Sequence, residues 1–357
     1  MNVIDYLKIN GHKSFSKLPF NEIDALVLAQ LSYLEYNRIH TSFMDIIDTE
    51  NLNSYETSIL LSKREFGDCE NDEKLIREFL NSKRYHGVKL AHYIKDHSDK
   101  QFSAITFLFE DFICISYMGT DDSVVGWKED FSMSYLSVIP SQSEGKKYLE
   151  KISKIYDKPI ILTGHSKGGN VAVYSYLNID EYIQKRIVKV YSYDAPGFSK
   201  EFIDLNAIKN RKDVIDIYIP ESSIIGLIMY QIDDYKIISS NKIFVFQHNI
   251  YNWRVDEMGF IYKDSLTKNS QAFSLSNKEW LENFSNEEKK MFFESIFSLF
   301  EDNEIVSILE LKKNFKNKVS EIIDSSSKIT YENKQLMKKI IKNMISSYLR
   351  LLFNRKK

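Results

Sequence analysis

Apolar and polar positions change their spacing twice along this chain, and the changes mark out three stretches. Over Asn21–Arg38 (NEIDALVLAQLSYLEYNR) apolar residues recur at helical intervals behind a capping asparagine and an acidic first turn, which predicts a helix. Residues 41–97 read as helical, polar and loop-rich. From Phe102 the period shortens: Phe102–Phe109 and Phe112–Tyr117 are β-rich runs split by Glu110-Asp111, a predicted hairpin. A helical stretch follows at Ser143–Tyr156, then the apolar run Ile160–Leu162. Val188–Tyr193, Val214–Ile219 and Ile243–Gln247 read as three further strands. Strands alternating with helices predict a mainly parallel sheet covered on both faces, with functional residues at the C-terminal strand ends. Beyond Lys263 the pattern is one of charged helices. Ser276–Glu279 and Ser285–Glu288 read as capping boxes, and Phe292, Phe293, Ile296, Phe297 and Phe300 as an apolar packing stripe. The expected organisation is an α/β domain over residues 1–262, with a helical section at 1–100, and a helical extension over 263–357.

Composition narrows the function classes. With 43% hydrophobic and 27% charged residues the chain is an ordinary globular one, and a net charge of -2 gives no reason to expect nucleic acid. Cys69 and Cys114 make no metal or disulfide spacing, and His12, His40, His86, His92 and His97 show no ligand pattern. No metal or organic cofactor is therefore expected. MNVIDYLKIN lacks the layout of a signal peptide, and no stretch approaches the roughly 18 apolar residues of a spanning helix. The expected compartment is the cytoplasm.

The chemistry concentrates at Gly164-His165-Ser166-Lys167-Gly168, between the apolar run at 160–162 and a helix-compatible stretch. Gly-x-Ser-x-Gly in that setting is the pattern of a nucleophile elbow, a serine held on a sharp strand-to-helix turn. Small residues two positions either side, Gly164 and Gly168, let strand and helix pass closely. Glycine is scarce, 12 in 357 residues, yet three fall at 164, 168 and 169, which argues against a generic flexible loop.

A serine nucleophile needs a base. His165 should diverge from its neighbour, and only His248 follows Ser166 in the chain, directly after IFVFQ. The acid is open: Asp194 and Glu221 each follow a predicted strand, Asp194 being favoured, with Asp233 and Asp234 as further options. Oxyanion donors are expected at the Lys167 N–H and at Thr120, whose loop contains Gly119.

Four segments, YMGTDDSVVGWKEDF (117–131), GHSKGGNVAVY, YDAPGF and FQHNIYNW, together with the opening PFNEIDALVLAQLSY, resemble an uncharacterised bacterial α/β-hydrolase-fold family related to class 3 (fungal-type) lipases. The resemblance covers about residues 1–260. It implies an oxyanion loop at Gly119 and Thr120, a supporting pair at Trp127 and Asp130, and a Ser166–His248 dyad. Two positions depart from it: Met118 replaces the arginine of that loop, and Ser223 stands near the place of the acid.

The sequence therefore points to a serine hydrolase cleaving a carboxylic ester, of a small molecule or a lipid. The alternative is a non-catalytic binding or scaffold protein on the same fold. Residues 334–357 carry eight lysines or arginines, no acid, and apolar positions at helical spacing. Such a helix suits peripheral contact with the inner face of a membrane, or docking on the protein's own body.

Overall fold

The computed structural model describes residues 1–52, 60, 68–97, 100–121, 124–203, 213–231, 234–302 and 329–353, with the side chains of 124–125 and 299–302 excepted. Two capped helices open the chain. Asn2 caps α1 (Val3–Asn10) and Asn21 caps α2 (Glu22–Leu31), each through a reciprocal box with the aspartate three residues on. The helix expected over 21–38 stops at Leu31, and only a short 3-10 turn, Tyr36–Arg38, follows. Strand β1 (Ile46–Asp48) and helix α3 (Cys69–Asn81) come next.

The sheet then builds in sequence order: β2 (Lys89–Asp96), β3 (Phe102–Leu108), β4 (Ile113–Tyr117), β5 (Ile160–His165), β6 (Ile187–Tyr193), β7 (Ile215–Pro220), β8 (Lys236–Ile238) and β9 (Tyr262–Lys263). Pairings from β4 through β8 are parallel, and those at both ends are antiparallel. The predicted hairpin is β3–β4, with Ala104 opposite Tyr117.

Alternation along the strands sorts the core into two layers. Ile161, Tyr191 and Tyr193 face α1, α2 and α3, whereas Ile160, Leu162 and Val190 face α5 (Pro140–Ile155) and α6 (Lys167–Asn178). The N-terminal helices are thus one covering layer of the sheet. Asp24 of α2 ties that layer to the loop after α3: it forms a fully buried ion pair with Arg84 and accepts from Tyr85 Oη at 2.6 Å.

A third cluster gathers α4 (Val124–Ser132) with α7 (Lys268–Asn283), α8 (Asn286–Asp302) and α9 (Tyr331–Phe353). Met133, Trp280, Phe292, Phe293, Phe297, Met337 and Ile340 are buried there. Phe292, Phe293, Ile296 and Phe297 pack in this cluster as the stripe predicts; the side chain of Phe300 lies outside the described residues.

Three expectations are corrected. β2 lies inside the stretch read as helical and loop-rich; a bulge at His92, whose φ is +58°, interrupts the alternation that would have marked it. Ile243–Gln247 is no strand. Phe244–His248 forms a 3-10 turn, and the place beside β7 is taken by β8. Four consecutive apolar residues have no period to separate the two forms. Ser276 caps nothing: it sits inside α7, whose cap is Thr267, and its hydroxyl donates to Phe273 O at 2.9 Å. The second box is made, with Ser285 and Glu288 bonding reciprocally.

Candidate active site

Ser166 stands between the end of β5 and the start of α6 with φ +57° and ψ −136°. This region is unfavourable for a residue with a side chain, and it persists because neighbours fix it. Ser166 N donates to Tyr193 O of β6 at 2.9 Å. The flanking glycines explain themselves: a Cβ on Gly164 would fall 2.2 Å from Gly168 C, and one on Gly168 would fall 2.1 Å from Tyr117 O. The strand, the helix and the end of β4 meet at that point.

Asp194 follows β6, also at positive φ (+43°), and is buried. Its Oδ2 lies 2.6 Å from His248 Nδ1. Its Oδ1 accepts from Ser223 Oγ at 2.5 Å and from Gly226 N at 3.0 Å. Both oxygens of the carboxylate are thus engaged, and a bond from Nδ1–H leaves Nε2 as the unprotonated nitrogen of a neutral His248 ring. Glu221 is placed elsewhere. It accepts from Ser239 Oγ and Ser240 N and lies 3.7 Å from Lys263 Nζ, so the structure does not bring it to His248. Asp234 is exposed, and Asp233 lies outside the described residues.

His248 sits at the end of the 3-10 turn, its side chain one-quarter exposed. Several contacts hold the turn, among them Trp253 Nε1 donating to Gln247 O at 2.6 Å, Asn252 Nδ2 donating to Phe246 O at 2.8 Å, and His165 Nε2 bonding His248 O at 2.9 Å. His165 is buried, and burial, reinforced by the neighbouring His248 ring, holds its pKa well below the ordinary value. It is therefore neutral, with Nε2–H donating to the carbonyl and Nδ1 accepting from Tyr33 Oη at 3.2 Å. The two imidazole centroids lie 4.4 Å apart, which sets His248 beside the residue preceding Ser166.

The loop after β4 closes the other side. A Cβ on Gly119 would fall 2.5 Å from His165 O and 3.0 Å from Ser166 Cβ, so this glycine lets the loop lie against the elbow. Thr120 Oγ1 donates to Asp130 Oδ2 at 2.6 Å. Burial pushes the Asp130 carboxyl up to about 6, against the pull of the Lys167 ammonium and the Thr120 hydroxyl. Trp127 packs on Phe131 with ring centroids 6.0 Å apart, and its Nε1 has no hydrogen-bond partner among the described residues. Met118 is buried, and its N donates to Ser103 O.

The structure joins His248 to Asp194 and Thr120 to Asp130 and lays Gly119 against Ser166, all of them residues named by sequence reasoning. Sequence reasoning missed the side chains of Tyr33, His165, Ser223 and Trp253. Tyr33 and Trp253 each fall in a segment that carried the resemblance, the one available signal. Among the described residues no group of three His, Cys, Asp or Glu converges as metal ligands.

A mainly parallel sheet with helices on both faces, carrying a serine elbow at a strand end, defines an α/β-hydrolase-type fold. More narrowly, the chain belongs to the Mbeg1-like family, whose model matches residues 79–298, a span that includes Thr120, Ser166, Asp194 and His248. No curated protein matches the chain. Similar solved structures include M37 lipase, at 17% identity over 58% of this chain and 70% of that one, with a TM-score of 0.38. Another is a lipase from Rhizopus microsporus var. chinensis (12% identity, 76% and 82%, TM-score 0.39), and a third is Lip2 lipase from Yarrowia lipolytica (13%, 51% and 72%, 0.32).

Proposed function

We propose that the protein is a serine hydrolase that cleaves a carboxylic ester through an acyl-enzyme on Ser166. The observation that carries this reading is the 2.6 Å contact between His248 Nδ1 and the buried Asp194, with the His248 ring 4.4 Å from that of His165, the neighbour of a serine held at positive φ. His248 Nε2 takes the Ser166 hydroxyl proton as Oγ attacks the ester carbonyl, then returns it to the leaving alcohol. Asp194 keeps the imidazole in the required tautomer and stabilises its protonated form. The N–H groups of Thr120 and Lys167 receive the oxyanion, and water then repeats the cycle to release the acid. None of these steps calls for a metal or cofactor.

The reading extends to lipid esters presented at a membrane surface. The face of α9 containing Met337 and Ile340 is buried against its helical neighbours, but Ile345, Leu349 and Phe353 stay exposed beside its basic residues. The turn leading to His248 exposes Ile243, Phe244, Val245 and Phe246, and Phe244 shares a cleft of about 280 Å³ with Tyr348 of α9. No helix among the described residues is long and apolar enough to cross a membrane. A peripheral contact matches this arrangement.

A fluorophosphonate probe tests the chemistry. Labelling of the wild type that is lost in Ser166→Ala supports the enzyme, and a panel of esters of increasing chain length then assigns the acyl group. A folded protein that resists the probe returns the question to a scaffold role. Sedimentation with anionic vesicles tests the contact: Phe244→Ser/Phe246→Ser should reduce binding, and unchanged binding would sink it.

A further inference from the structure

Lys167 does more than follow the nucleophile. Its side chain is 1% exposed, with Nζ 2.7 Å from Gln101 Oε1, 2.8 Å from Glu129 Oε2 and 3.8 Å from Asp130 Oδ1. A buried ammonium is unfavourable without partners, and here it has two adjacent carboxylates of α4. The two carboxylates lead in different directions. Glu129 Oε1 accepts from Ser141 N at the start of α5. Asp130 Oδ2 accepts from the Thr120 hydroxyl, and its Oδ1, the oxygen nearest Nζ, has no hydrogen-bond partner among the described residues. Met118, in the same loop, brings no charge. Among the described residues the ammonium that approaches both acids is that of Lys167, with His248 a further charge facing Asp130.

We propose that the Lys167 side chain is a positioning residue for the oxyanion loop: its ammonium keeps Asp130 ionised, and Asp130 in turn fixes Thr120. One residue then supplies a backbone N–H to one wall of the oxyanion hole and a charge that holds the other. This rests on the ester-hydrolase reading of the site.

The arrangement gives the elbow's two variable positions opposite duties. His165 reaches back to the turn that carries the base, and Lys167 reaches forward to the loop that receives the oxyanion. A methionine of similar length would fill the space but leave Asp130 to protonate, because burial already favours its neutral form. A protonated Asp130 is a weaker acceptor for the Thr120 hydroxyl, and the Thr120 N–H then loses its fixed aim.

The test uses the full chain, with ester turnover and fluorophosphonate labelling as readouts. Lys167→Met should lower kcat about 10- to 100-fold with KM nearly unchanged, short of the loss seen when an oxyanion donor is removed outright. Part of the loss should return at alkaline pH, where Asp130 ionises without its partner; a merely structural lysine would not behave so. Lys167→Arg should keep most of the activity. Since Lys167→Met leaves the buried Glu129 carboxylate without its counter-ion, the double variant Lys167→Met/Glu129→Gln is the control for folding. Recovered melting temperature with activity still low supports the proposal, and recovery of both would overturn it. A labelling wild type whose rate is unchanged in Lys167→Met overturns this proposal alone, whereas a wild type without Ser166-dependent labelling overturns the hydrolase reading with it.

Discussion

Asp194 reaches His248 and Ser223 with its two different oxygens, 2.6 Å from the imidazole Nδ1 and 2.5 Å from the Ser223 hydroxyl. The carboxylate arises at the end of β6, and a hydroxyl after β7 meets it. Asp194→Asn leaves the shape intact but offers an amide in place of an acceptor, which favours the wrong tautomer of His248. The expected loss in kcat is about 10³- to 10⁴-fold. Glu221→Gln, whose partners are Ser239, Ser240 and Lys263, should stay within a few-fold of wild type. Parallel turnover assays decide between them, and equal losses would reject the assignment.

Gly226 is the tighter constraint on the acid. A Cβ there would fall 2.3 Å from Asp194 Oδ1 and 3.2 Å from Ser223 Oγ. Gly226→Ala must push the carboxylate from the imidazole, so activity should fall further than in Ser223→Ala, which removes one donor and leaves the Gly226 N–H. Ser223→Ala is expected to cost about 1–2 kcal/mol of transition-state stabilisation, roughly a 10-fold loss. A Gly226→Ala enzyme as active as wild type would contradict this geometry.

The elbow was legible because its chemistry restricts residue types locally: positive φ at Ser166 and the close approach at Gly164 and Gly168 leave few alternatives. The hairpin and the parallel strands β5 to β7 were legible as short apolar runs, whereas the three-residue β8 was not. What was hidden depends on distant partners. Ser223 stands where the resemblance expects an acid, and nothing in ESSIIG says that it instead donates to a carboxylate on the preceding strand. The turn at Phe244–His248 looked like a strand because its apolar run, Ile243–Phe246, faces solvent rather than core. Tyr33 comes from the N-terminal layer, 132 residues before its partner His165, and only the packing of that layer on the sheet brings them together.

His165 holds the turn that carries His248. Its Nε2–H donates to His248 O, so replacement by Phe keeps a ring and removes the bond. We expect His165→Phe to lower kcat roughly 10-fold with little change in KM, a loss of about one hydrogen bond. Tyr33→Phe, one step further out, should do less. Amide exchange at residues 244–249 should quicken in His165→Phe; exchange and kcat both unchanged would remove this role.

The N-terminal layer should be stability-critical without touching chemistry. Arg84 and Asp24 are fully buried, and Arg84 also donates to Leu18 O at 2.7 Å and Pro19 O at 3.0 Å. Arg84→Met strands a buried carboxylate and is expected to destabilise the fold by about 3–5 kcal/mol, more than the double replacement Arg84→Met/Asp24→Leu. Urea unfolding of the three proteins measures the difference. A single variant as stable as the double would show that the charge is not confined.

The acid limb of activity should carry a signature of Asp130. Its folded pKa, about 6, lies above the ordinary carboxylate value, so it is ionised and holds Thr120 only above that pH. Asp130→Asn removes the titration and keeps an oxygen acceptor. The ratio of wild-type to Asp130→Asn kcat/KM cancels the titrations that the substitution leaves unchanged. It should be constant well above pH 6 and fall with a one-proton slope below about 6. Stability runs the other way. A carboxyl whose folded pKa is raised binds its proton more tightly in the native state, so its contribution is most favourable in acid and is lost as pH rises through about 6. Asp130→Asn should therefore gain melting temperature relative to wild type on going from acid to neutral pH, as its kcat/KM ratio worsens. A flat ratio across that range would mean that the Thr120–Asp130 bond has no part in the reaction.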